Sequence, residues 1–180
     1  VRNRVRSVFA QYYLEKLLRE KDEKLADRII ISSAGLFPKW LSDILDEARI
    51  PLPDPFFDRD MSEVVREVLN SKGIAMPDGW RSRPITPEEI THADLIIVAL
   101  AVQKEEILEQ NPNAHHKVFT FREIAEFEES ILFESFKGLP LDDTFWERCE
   151  DDPPYVKKVL NEVEELLRLG YPNILKKLGV

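Results

Sequence analysis

The sequence predicts an α/β fold built on a parallel sheet, and three observations carry that expectation. Short apolar runs, Arg28–Ser33, Asp94–Leu100 and Lys117–Phe121, alternate with stretches whose apolar residues repeat at helical spacing, which is the pattern of strands separated by helices. Arg28–Ser33 reads as a buried strand, and Asp94–Leu100, the most apolar run, as a central one. The N-terminal stretch Val1–Gln11 opens a helix at once, with Phe9, Ala10, Tyr13, Leu14, Leu17 and Leu18 on one face. A loop of this kind needs a strand to feed it, so the pattern asks for a fourth strand before Val1.

The first helix is expected from about Ser7 to Lys21. Ala34-Gly35 ends the first visible strand, and Leu36–Pro55 is rich in Pro, Asp and aromatic residues. Trp40–Ala48 suits a short helix, while Pro51, Pro53 and Pro55 keep the rest a loop. Met61, Val64, Val65, Val68 and Leu69 share a helical face that Gly73 closes. Thr86-Pro87-Glu88-Glu89 is a capping box with Pro in the first helical position, opening a helix through about His92. Val102–Gln110 is helical and ends before Asn111-Pro112. Helical pieces are expected around Arg122–Glu126 and Ser130–Phe136. Tyr155, Val156, Val159, Leu160, Val163, Leu166 and Leu167 mark a long helix that Gly170 should stop.

A chain of 180 residues fits one domain with a real core. Its net charge of −9 argues against nucleic acid as the main partner, since such partners select a basic face. No apolar run reaches the roughly 18 residues of a membrane span, and no signal-peptide pattern is visible. The single cysteine, Cys149, allows no internal disulfide and fits a reducing cytoplasm. His92, His115 and His116 have no Cys or carboxylate at ligand spacing, so neither metal nor cofactor is expected. The oligomeric state is not fixed by the sequence.

The stretch Val1-Arg2-Asn3-Arg4-Val5-Arg6-Ser7 is the chemical focus. First-turn amides of a helix have no intrahelical partner, and the dipole favours an anion there. Arginines on that turn add bidentate donors for phosphate oxygens. The alternative is a disordered basic N-terminus.

The wording of this stretch resembles the phosphate loop of low-molecular-weight protein tyrosine phosphatases and the related thioredoxin-coupled arsenate reductases. That loop reads Cys, five residues, Arg, Ser. Asn3, Arg6, Ser7 and Ala10 match it, and Gln11 stands where Glu is usual. Arg2 replaces a Gly, Val5 replaces a second Cys, and Val8 replaces a Pro. Further landmarks resemble the family in order: Ser32-Ser33-Ala34-Gly35, Gly73-Ile74, Arg81-Ser82-Arg83-Pro84-Ile85-Thr86, Ala93–Val98 and Asp151-Asp152-Pro153. The resemblance implies a three-layer α/β/α domain over residues 1–180 with a four-stranded parallel sheet, its first strand and the nucleophilic Cys lying immediately before Val1. Segments near 36–59 and 126–148 depart from the family and look like insertions at the substrate mouth.

It also implies roles, each beside a plainer alternative. Backbone amides from Val1, Arg2, Asn3, Arg4 and Val5 to Arg6 would cradle the phosphate, and Arg6 would pair with two of its oxygens as charge develops. Arg2 and Arg4 have no family role; they are solvent-exposed charge or added attraction for anions. Ser7 would donate to the thiolate, or is an N-cap. Asn3 would hold a left-handed position, which Asn tolerates, and Ser33 would brace it, or is a strand-end serine. Asp152 would be the general acid, or an N-cap before Pro153; Asp151 is the fallback. Tyr155, Trp40, Phe56 and Phe57 would wall the pocket, or simply pack. The implied substrates are a phosphorylated protein or a small phosphate ester. Arsenate reduction is an alternative for which only Cys149 is present, and a non-catalytic phosphate-binding module is another.

Overall fold

Helix ends in this chain are set by capping chemistry that can be followed residue by residue. The computed structural model describes residues 2–37, 39–52, 54–127 and 145–180. Its helices are α1 (Arg6–Lys21), α2 (Glu23–Ala26), α3 (Lys39–Glu47), α4 (Glu63–Ser71), α5 (Pro87–His92), α6 (Ala101–Gln110), α7 (Phe121–Ala125), α8 (Phe145–Glu150) and α9 (Pro153–Leu178). At α5 the expected box is present: the Glu89 amide donates to Thr86 Oγ1 at 3.2 Å and the Thr86 amide to Glu89 Oε2 at 3.0 Å. Arg83 adds two bonds to the same carboxylate, at 2.8 and 2.6 Å, and holds Glu89 below the usual carboxylate range. The same device, Thr120 with Glu123, opens α7. Gly73 follows α4 with φ 71°, a conformation that favours glycine.

Two strands, β1 (Ile96–Val98) and β2 (Val118–Thr120), form a parallel ladder with Ile96 opposite Val118 and Val98 opposite Thr120. Successive side chains of a strand point to opposite faces, and the contacts follow that rule. Leu95, Ile97, Ala99 and Phe119 pack on a core made by α1, α4, α7 and α9. Ile96, Val98 and Val118 pack instead with Ile90 of α5 and Ile107 of α6. Helices thus cover both faces of the ladder, the layering of an α/β/α fold.

The expected strand Arg28–Ser33 enters no ladder among the described residues. Its side chains alternate as a strand's do: Ile29 and Ile31 pack on the core, while Ile30 is 97% exposed. No strand pairs with it among the described residues, and it lines a cavity of about 820 Å³ together with Leu95–Ala99. A single parallel bridge, Gly35 to Pro84, follows it. The expected helix at Ser130–Phe136 lies outside the described residues.

Gly170 does not stop the last helix. α9 runs on through Pro172 to Leu178, and Gly179, at φ 72°, is the residue that ends it. Gly170 is buried against α7, where an added Cβ would lie 2.5 Å from Ile124 Cγ2 and 3.2 Å from the Ala125 amide nitrogen. The absent side chain lets two helices approach, and this packing outweighs the local preference to end. Gly170→Ala is expected to destabilise by about 1–2 kcal/mol, overpacking outweighing the regained helix propensity. A denaturation midpoint at or above wild type would show that Ile124 can yield.

Candidate active site

The loop that leads into α1 turns at Asn3, whose φ of 57° is left-handed. Asn tolerates this conformation better than most residues, and here its side chain is tied down. Asn3 Nδ2 donates to the Ser33 carbonyl at 3.1 Å, and Ser7 Oγ donates to Asn3 Oδ1 at 2.7 Å. Ser33 therefore braces the loop through its main chain, while its hydroxyl donates to Gln11 Oε1 at 2.8 Å. Ser7 is not the N-cap: it is the second residue of α1, and the cap is Val5, which offers no side-chain bond. The first-turn amides of α1 are left to serve an anion, and no acidic residue stands in that turn to compete.

Arg6 is the first residue of α1. Burial lowers its pKa, while Tyr155, Cys149 and Glu162 pull it back up. Asn3, Arg6, Ser7, Cys149, Glu150 and Tyr155 all line the cavity described above. Val1 lies outside the described residues.

Arg2 and Arg4 are not solvent-exposed charge. Arg2 is 4% exposed and Glu150 is 6% exposed. Arg2 Nε donates to Glu150 Oε1 at 2.8 Å, and Arg2 Nη2 pairs with Glu150 Oε2. Arg4 Nη1 reaches Glu150 Oε2 at 2.6 Å and lies 3.5 Å from Asp151 Oδ2, while Arg4 Nε donates to the Asp60 carbonyl at 2.6 Å. The Arg2 guanidinium also sits 4.9 Å from the Trp146 ring and 5.9 Å from Phe56, the geometry of cation–π contact. Phe56 meets Phe37, Phe57 and Trp146 edge-on at 4.7, 5.0 and 5.7 Å. Nothing is said of the Trp40 side chain, which lies outside the described residues.

Asp152 caps α9: its Oδ2 accepts from the Tyr155 amide at 3.3 Å, with Pro153 as first helical residue. The cap reading is therefore realised; the salt bridges of Glu150 and Asp151 bring this turn beside the Arg2–Ser7 loop, though Asp152 is not among the residues lining the cavity. Glu150 and Trp146 were not among the expected site residues; Glu150 stands 148 positions from Arg2, so no local signal announces the pair.

Burial pushes the Cys149 thiol up to about 12, against the pull of Arg6 and Arg2. The reactive form is the thiolate, so Cys149 should alkylate at pH 8 on the order of 10³-fold more slowly in the folded chain than in urea. Iodoacetamide rates within tenfold of each other would refute the shielding. Among the described residues no three His, Cys, Asp or Glu side chains gather as a metal site requires, and no helix is long and apolar enough to cross a membrane.

The layered α/β fold and a helix start without acidic residues are compatible with an anion site. The sequence model described as low molecular weight phosphotyrosine protein phosphatase matches residues 57–168. The chain belongs to this family, and with it is a phosphoric monoester hydrolase. Among solved structures, a YwlE arginine phosphatase mutant with a phosphorylated active-site serine is 26% identical, covering 97% of this chain and 91% of its own at a TM-score of 0.64. The YwlE arginine phosphatase from Geobacillus stearothermophilus is 22% identical, covering 98% and 90% at 0.62. YfkJ from Bacillus subtilis is 16% identical, covering 96% and 91% at 0.62. No curated protein sequence matches the chain.

Proposed function

We propose that the protein hydrolyses phosphotyrosine or a small phosphate ester through a phosphocysteine, with the nucleophilic Cys immediately before Val1 at the end of a strand. The observation that carries this is the loop from Arg2 to Ser7: a left-handed Asn3 held from both sides, then Arg6 at the start of α1. Two features support the strand. β1 has a ladder partner on one edge among the described residues, and the 28–33 segment has none. Both line one cavity, and a further strand pairing there would satisfy both edges.

In the reaction the thiolate attacks phosphorus and the ester oxygen leaves with a proton from Asp152. Water, deprotonated by the same carboxylate, then releases phosphate from sulfur. The amides of the loop and the Arg6 guanidinium stabilise the charge on the equatorial oxygens. Phosphoarginine is a second substrate class, favoured by the 26% identity to a YwlE arginine phosphatase. Arsenate reduction is disfavoured, because the buried Cys149 is poorly suited to pass on a disulfide.

The test is to express the encoded protein, read its N-terminus by intact mass and peptide mapping, and assay phenyl phosphate, a phosphotyrosine peptide and phosphoarginine. Encoded initiation at Val1, or a preceding residue other than Cys, would remove the proposed nucleophile. Robust thioredoxin-coupled arsenate turnover would favour the reductase, and Cys149→Ser should then abolish it.

A further inference from the structure

We propose that Glu150 is a positioning residue, which ties the Asp152 turn to the Arg2–Ser7 loop by binding Arg2 and Arg4 together. The proposal rests on the phosphatase reading above. The phosphate loop and the turn that carries Asp152 come from opposite ends of the chain, and something must set their distance. α1 and α9 share one core, yet Asp152 precedes α9 and Arg2 precedes α1, so the two ends gain a further tie from outside that packing. The closest tie is one buried carboxylate, with Asp151 adding a longer contact to Arg4 at 3.5 Å. Glu150 ends α8 two residues before Asp152, and its two oxygens take three guanidinium contacts from the loop.

The arrangement is stiff for three reasons. The Arg2 pair is bidentate, so it fixes angle as well as distance. Arg2, Glu150 and Arg4 are largely withdrawn from water, with side chains 3%, 8% and 11% exposed, so screening is weak. The Arg2 guanidinium is further held against Trp146, which belongs to the same helix as Glu150. Downstream, the Asp151 and Asp152 amides donate to the Glu147 carbonyl at 2.7 and 3.1 Å, so the turn follows α8 as a rigid extension. Arg2 stands where the resembled loop has Gly, which has no side chain with which to make this link. A proton donor displaced by about 1 Å from its productive place can cost on the order of 10²-fold in rate.

The proposal predicts two separable effects of Glu150→Gln in the full protein. Turnover of phenyl phosphate, whose leaving group needs protonation, should fall on the order of 10²-fold, while an ester with a strongly acidic leaving group should lose much less. Backbone amides of residues 147–155 should exchange with deuterium faster, those of α4 unchanged. Glu150→Asp keeps the charge and withdraws the carboxylate by one methylene; it should fall between wild type and Gln, and it carries the test should Gln fail to fold. Equal loss on both esters would mean Glu150 is structural and would overturn the proposal, as would unchanged exchange of residues 147–155. A wild-type protein that cleaves neither a phosphate ester nor phosphoarginine would sink the phosphatase reading; the exchange experiment would then still decide whether Glu150 fixes the turn.

Discussion

Arg6→Lys is expected to leave almost no turnover. Lysine keeps the charge but offers no planar fork, so two equatorial oxygens lose their paired donors. The loss should be about 2.7–4 kcal/mol, a fall in kcat of roughly 10²–10³-fold, as for removal of a preorganised donor to a developing charge. Arg4→Ala is not a neutral control, because Arg4 holds Glu150 and the Asp60 carbonyl. Arg19, exposed and paired with Asp27, is suitable: Arg19→Ala should keep wild-type kcat. An Arg6→Lys variant as active as Arg19→Ala would show that the arginine of the motif has been misplaced.

Asp152→Asn should separate cap from acid. As a cap, Asp152 accepts from the Tyr155 amide, and Asn accepts about as well. Stability should therefore stay within about 0.5 kcal/mol, apart from a few tenths lost from the helix dipole. As an acid it must carry a proton that Asn cannot supply, so phenyl phosphate turnover should fall by roughly 10²–10⁴. The defect should shrink as the leaving group becomes more acidic. A destabilised but fully active variant would make Asp152 a cap alone, and Asp151→Asn would be the next to measure.

Local chemistry was legible in the sequence wherever the deciding residues are neighbours. The Thr86 box and the Gly73 stop each depend on a few adjacent positions, and the structure holds both. Readings fell short where the deciding partner is distant. Gly170 reads as a stop until Ile124 is seen to occupy the space that its side chain would fill. Arg28–Ser33 keeps a strand's alternation, and the reading is incomplete rather than wrong: a ladder needs a second backbone, which none of the described residues supplies. Arg2 and Arg4 read as surface charge in an acidic chain because Glu150 lies near the other end. The left-handed turn of the loop was legible through Asn3, and the contacts that tie that loop to α8 were not.

The ring contacts around Phe56 bear on how this site can change over evolutionary time. Phe37, Phe56 and Phe57 come from the segment between Gly35 and α4, Trp146 from α8, and Trp146 with Cys149 also seals the small core of Leu41, Leu45 and Ile50. The two segments share one interior. A chimera that transplants residues 36–59 into a relative without 145–150 would expose apolar rings and leave Arg2 without its counter-ion. The pair should therefore be inherited, lost or grafted as a single cassette, with Arg2 as its third member.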